Sequence, residues 1–281
     1  MPAIRAAVGS LMPRVDAEAL IASGDLDPGR CQIVWNVRDR AVIHPVSQMQ
    51  VPSLEAVKSV RRIGTYKGAQ SRIAMYPVIR EGKATMLELE SQLERFHALK
   101  LSLDPRVSDL LAQPFLMLWR HPRGSVLHVP DLAARRGQEW TVYAVKPDER
   151  SSEERVRLMF DFAAEALRCA RVGFEVRGSL SKQQRVNLDR LARYRVYDAG
   201  LEALVEVAAL RRPRTMGGFY GVIRGHLGFG QTLDLPSVGC PSLVGLDAAL
   251  YALAHGHVGT PDLDQPIRLA TPLLWAADQE R

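Results

Sequence analysis

The sequence predicts an α/β protein, with a core built on a central mixed sheet and a small helical domain after it. Two observations predict the core. Residues 85–177 alternate periodicities in the order helix, three strands, helix, strand. The strand-like segments are rich in β-branched and aromatic residues, whereas the helical ones repeat apolar residues three and four apart. A third observation separates the tail: residues 215–281 hold three basic and six acidic residues and two short helix-like stretches.

In chain order, residues 1–57 read as a mixed N-terminal extension. Its strand, Cys31–Val37, follows the turn residues Asp27-Pro28-Gly29. Residues 58–80 read as a loop with exposed backbone amides, because Gly64, Gly68 and small or polar neighbours interrupt any period. Thr85–Leu101 reads as a helix on the spacing of Met86, Leu89, Leu93, Phe96 and Leu99, stopped before Pro105. Val107–Trp119 is strand-rich and broken at Gln113-Pro114. Ser125–Ala133 and Glu139–Lys146 are the next strands, with a turn at Arg135–Gln138. Ser151–Arg171 is an amphipathic helix, opened by a capping-box pattern of Ser151 with Glu154, and Val172–Val176 is a strand. Asn187–Leu210 is helical again. Phe219–Leu227 and Leu243–His255 are helix-like, Gly256 is a C-cap, and His257–Leu263 suits a β-wing, so the tail reads as a winged-helix-like domain. The expected division is 1–57, 58–197 and 198–281.

Composition narrows the partners. The chain has 281 residues and a formal net charge of +6. Residues 58–80 hold Lys58, Arg61, Arg62, Lys67, Arg72 and Arg80 with no acid, so this one stretch equals the whole net charge. Interleaved with Tyr66 and Tyr76, these cations suit contact with a phosphate backbone. No apolar run approaches the roughly 18 residues that span a bilayer, so no membrane partner is expected, and the N-terminus is too short in its apolar part for a signal peptide. Cys31, Cys169 and Cys240 include no CxxC pair and are odd in number, against a zinc ribbon or a disulfide framework; a reduced, cytoplasmic protein is expected.

The chemistry-bearing spacing is Pro130-Asp131, twelve residues, then Ala144-Val145-Lys146, with Glu94 on the preceding helix. Phosphodiester hydrolysis needs a divalent metal to offset charge and activate water, and Mg²⁺ takes hard oxygen ligands such as one or two carboxylates. A carboxylate at one strand end and a lysine on the adjacent strand supply such a site. Residues 144 and 146 share a face because the strand period is two, so Lys146 would stand beside the metal. Glu90, four residues before Glu94 on the same expected helix face, is an alternative ligand.

These residues resemble a family. The PD…(D/E)xK pattern is that of the restriction-endonuclease-like nucleases. More narrowly, the ordered segments Arg61–Gly68, Glu90–Phe96 with Leu103–Pro105 and Gln113–Phe115, His128–Asp131 with Ala144–Pro147, and Asn187–Arg195 resemble the TnsA-type transposon endonucleases over roughly residues 60–197. The resemblance implies a restriction-endonuclease-like fold and a Mg²⁺-dependent (or Mn²⁺-dependent) nuclease that cuts double-stranded DNA at transposon ends. It also implies a DDE-type transposase partner and an ATPase regulator. Carried over by position, Glu94 and Asp131 are metal ligands, the Val145 carbonyl a further one, and Lys146 the active-site lysine. Ala144 stands where the family has Gln or Glu, which leaves a weakened, a rearranged and a lost metal site all open. Two functions follow: an active endonuclease subunit of a heteromeric transposase, or a catalytically silent DNA-binding assembly subunit that keeps the nuclease fold.

Other features carry less. His255 and His257 read as surface histidines, Cys169 as a core residue, and His128 as a dispersed histidine three residues from Asp131. Leu243–His255 has no Lys or Arg, so the tail is expected to dock proteins rather than read DNA.

Overall fold

The computed structural model describes residues 2–61, 74–80, 83–104, 106–195, 200–227, 244–260 and 263–276. The protein is mixed α/β. It divides into two compact units, residues 1–98 with 106–179, and residues 99–105 with 180–281.

The first unit opens with α1 (Pro2–Val8) and α2 (Arg14–Ser23). Then come β1 (Gln32–Val37), β2 (Arg40–Pro45) and β3 (Val57–Lys58), the hairpin β4 (Ala74–Arg80) and β5 (Lys83–Leu89), and α3 (Gln92–Ser102). Five strands follow: β6 (Val107–Ala112), β7 (Phe115–His121), β8 (Gly124–His128), β9 (Leu132–Arg136) and β10 (Glu139–Val145). The unit closes with α4 (Asp148–Ser151), α5 (Glu154–Arg168) and β11 (Gly173–Arg177).

The expected single central sheet is two sheets. One has the order β2-β1-β7-β8, with β3 also beside β1; the other has the order β11-β10-β9-β6. In the second sheet β10 and β11 run parallel, joined over the sheet by α5, as parallel neighbours require a crossover. The segment expected as one strand over Ser125–Ala133 breaks at Val129–Asp131, because β8 pairs with β7 whereas β9 pairs with β6 and β10. The break is where the chain passes from one sheet to the other, and it carries Asp131.

Strand periodicity sorts the apolar residues of β7. Phe115, Met117 and Trp119 face the main core, while Leu116 and Leu118 pack with Ile4 and Val8 of α1. A strand buried on both faces needs the unbroken apolar run that this sequence has. Residues 1–57 contribute Met12, Leu20, Ile33, Trp35 and Val46 to the same core. Trp35 meets Phe115 edge-on with ring centroids 5.0 Å apart, and Trp119 meets Phe162 of α5 at 4.9 Å.

Several local expectations are corrected. Residues 85–89 are strand, not helix: Leu87 and Leu89 are buried while Met86 is exposed, a period of two. The helix starts only after Ser91, whose hydroxyl accepts the Glu94 N–H at 3.1 Å. Residues 74–80, expected within a loop, pair with 83–89. Strand β9 runs through Arg136, leaving the turn to Gly137 (φ 60°). The Ser151–Glu154 box does not form; Ser151 ends α4, and Glu153 precedes α5 with no side-chain cap. Cys169 is exposed just beyond α5 rather than in the core.

The second unit contains α6 (Lys182–Ala192), α7 (Leu201–Ala209), α8 (Met216–Leu227), α9 (Val244–Ala254) and the short pair β12 (Val258–Gly259) and β13 (Leu274–Trp275). A capping box of Ser181 with Gln184 starts α6. Helix α9 is the centre of this unit: Ala248 through Ala254 are all buried, against α7 and α8. A Cβ on Gly245 would stand 3.2 Å from the Tyr220 Cα, so glycine lets α8 and α9 approach closely. The helix without cations is therefore a core helix, not a presented surface. His255 and His257 are half-buried rather than free on the surface: His255 stacks on Tyr251 at 4.1 Å and hydrogen-bonds the Tyr194 carbonyl at 2.8 Å.

Candidate active site

Asp131 immediately precedes β9, and both its main-chain groups are used. Its N–H donates to the Tyr143 carbonyl at 3.0 Å, and its carbonyl accepts the Gln113 N–H at 2.9 Å. Its side chain turns along β10, where Oδ2 accepts the Val145 N–H at 2.6 Å. Within a strand the N–H and C=O of one residue point to the same side. The Val145 carbonyl therefore lies on the Asp131 side of β10. Ala144 is fully buried and offers no side-chain oxygen.

Glu94 is 5% exposed, in the first turn of α3. One oxygen accepts the Glu90 N–H at 2.9 Å and the other the Ser91 hydroxyl at 2.8 Å. Ser91 and Glu94 thus cap each other through the serine hydroxyl in an S-x-x-E sequence, but the carboxylate takes the Glu90 N–H and not the Ser91 N–H of a capping box. Burial, and then the charge of Asp131, push the Glu94 carboxyl up to about 7. Asp131 is also raised by burial, with Lys146, the Val145 N–H and Arg61 opposing that shift. The two expected ligands are thus close enough to repel, and two cations offset the charge at Asp131.

Asp131, Lys146, Arg61 and His128 line one cleft of about 380 Å³ between α2, β8 and α5. Burial, and then the nearby Lys146 and Arg61 charges, hold the His128 imidazole down to about 4, so it is neutral at ordinary pH.

The basic stretch is less free than its composition implied. Lys58 Nζ is 2.5 Å from Asp39, and Arg61 Nη1 is 3.0 Å from a Glu90 oxygen. Acids distant in sequence therefore meet cations whose own segment has none, and Glu90, the alternative ligand, is engaged with Arg61. Arg62, Lys67 and Arg72 lie outside the described residues.

One positioning residue escaped sequence reading. Gln113 is 1% exposed and adopts a left-handed backbone (φ 43°) before Pro114. Its N–H holds Asp131, its carbonyl accepts the Val60 N–H at 3.2 Å, and its side-chain oxygen accepts the Ser59 hydroxyl at 2.8 Å. It ties the Asp131 corner to the segment that delivers Arg61. The sequence marked Gln113-Pro114 as a break and Gln113–Phe115 as part of the family resemblance, but gave Gln113 no role of its own.

A hard divalent cation fits this donor set. Glu94 and Asp131 are oxygen donors, each oxygen has two lone pairs, and Mg²⁺ needs only one or two carboxylates beside water. Among the described residues no group of three or more His, Cys, Asp or Glu side chains is arranged as a metal cage. No helix of the described residues is long and apolar enough to cross a membrane. No family model matches the sequence, and no curated protein matches it.

Proposed function

We propose that this protein is a metal-dependent DNA endonuclease subunit of a heteromeric transposase, with a restriction-endonuclease-like core. The observation that carries the reading is the meeting of Asp131, Lys146 and Arg61 in one cleft, with buried Glu94 near enough to feel the Asp131 charge. Glu94, Asp131 and the Val145 carbonyl would hold Mg²⁺ or Mn²⁺, which when bound offsets phosphate charge and lowers the pKa of water. Lys146 stabilises negative charge developing on the phosphate. Arg61 exchanges Glu90 for a phosphate oxygen, and Lys58, Arg62, Lys67 and Arg72 contribute backbone contacts. Gln113 keeps the Asp131 corner and the Arg61 segment in register. The second unit docks a DDE-type transposase and an ATPase regulator.

A second reading has specific support: a silent DNA-binding assembly subunit. Ala144 contributes no oxygen, and both Glu94 oxygens already serve the start of α3. The test uses the full chain with its partner transposase, transposon-end DNA and Mg²⁺ or Mn²⁺. Cleavage abolished by Asp131→Ala is the expected result. DNA binding and complex formation without cleavage in either metal would overturn the nuclease reading in favour of the silent one.

A further inference from the structure

The cleft holding Asp131 and Lys146 extends well past them. Part of its lining is an apolar wall, Met12 beside α2 and Val156, Met159 and Phe160 of α5, while Arg14, Glu18 and Arg155 of the same helices also reach it. His128 lies between that wall and the charged end. Its ring meets Phe160 edge-on at 5.9 Å, and its Nε2 is sealed from solvent with no hydrogen-bond partner among the described residues. A buried ring nitrogen left unpaired is costly; since Nε2 is sealed, a ligand removes that cost only as the His128 ring turns toward the cleft on binding.

The shape and chemistry select the ligand. A bare phosphate would meet Lys146 and Arg61 but leave the apolar wall uncovered. An aliphatic group would cover the wall but leave Nε2 unpaired. A flat heteroaromatic ring joined to a phosphate satisfies all three: its faces against Met159 and Phe160, a ring edge toward His128, and its phosphate at the cations. A cleft of about 380 Å³ falls in the size range of small-ligand sites.

We propose that this cleft takes one nucleobase of the bound DNA strand, turned out of the stack next to the phosphate that Lys146 and Arg61 hold. The proposal rests on the nuclease reading and names the form of substrate the site takes. Extrusion costs unstacking energy, least at a mismatched base, so such positions would be favoured.

The probe is a short duplex with one mismatched 2-aminopurine and a terminal fluorescein, mixed with the full chain without divalent metal so that nothing is cut. Anisotropy reports binding, and 2-aminopurine emission reports unstacking. The wild type is expected to raise emission several-fold as anisotropy saturates. Met159→Trp, which fills the cleft, is expected to lose the emission change per bound duplex, a quantity that affinity does not enter. His128→Leu, a milder change, is expected to reduce it. Saturated anisotropy with unchanged wild-type emission overturns the base pocket and leaves the nuclease reading standing, as does an emission change equally large in both variants. No anisotropy change at all overturns the base pocket, and the nuclease reading then stands or falls on cleavage with the partner transposase.

Discussion

In the second unit, Asn187 is the one buried polar or charged side chain among the described residues; the first unit buries Asn36, Glu94, His97, Asp109, Gln113, Ser125 and Asp131. The Asn187 amide has a purely architectural task, donating to the Leu263 and Gln265 carbonyls at 2.8 and 2.7 Å. In the first unit, Gln113 holds the Asp131 main chain, and Asp131 and Glu94 are carboxylates raised by burial. Burying polar groups opposes folding unless each is satisfied. The first unit thus carries the cost of buried carboxylates that the proposed chemistry would use, whereas the interior of the second is given to packing.

That contrast is testable by asking each unit to fail in its own way. The largest effect is expected from Asp131→Ala, which should lower cleavage by at least about a thousandfold while DNA binding persists. Single-turnover cleavage beside a binding titration measures it, and equal loss of both would make Asp131 structural. In the second unit, Phe219 is fully buried and its ring stacks 6.0 Å from Trp275. Phe219→Ala should cost about 3–5 kcal/mol by denaturant titration. An unchanged unfolding midpoint would break the picture of a packing unit.

Asn187→Ala should cost about 1–3 kcal/mol, because it leaves two carbonyls without their donor. Thermal unfolding measures it, and if cleavage falls instead of stability, the unit carries chemistry after all.

Glu94 sharpens the contrast through pH. Its carboxyl rises from an ordinary 4.5 to about 7. Between those values the folded protein holds a proton that the unfolded chain has released, so this group's contribution to stability falls as pH rises across the window. Glu94→Gln should flatten that fall in melts without metal. Mg²⁺ needs the deprotonated ligand, so its binding to the wild type should strengthen as pH rises through about 7, releasing a proton. A metal affinity independent of pH would remove Glu94 from the ligand set. The smallest effect is expected from Arg61→Ala: the slope of DNA affinity against salt should lose about one unit, read by anisotropy at several salt concentrations. An unchanged slope would leave Arg61 with Glu90 alone.

Much of the first unit was legible. The β-branched run of β10, the amphipathic α5 and the strand β11 all lie where periodicity put them, within a residue or a few. Asp131 and Lys146 do meet in one cleft, because their spacing places one before β9 and the other just beyond its antiparallel neighbour β10. The β5–α3 junction was misread because Met86 and Leu89 sit three apart, a spacing that a helix and a strand running into a helix can share. The serine and glutamate that form the cap lay inside that misread helix, hiding its start.

The sequence by itself determined β10, α5 and β11, the acid-free basic stretch and the approach of Asp131 to Lys146. These rest on periodicity and short-range spacing, which neighbouring residues dictate. Only the tertiary structure decided that the expected central sheet is two and that α9 is buried. It alone set Arg61 against Glu90, 29 residues on, and made Gln113 the anchor of Asp131. Contacts between residues far apart in the chain depend on which faces are buried together. Burial on both faces of β1 and β7, and the desolvation of Glu94 and Asp131, exist only once the whole unit is packed.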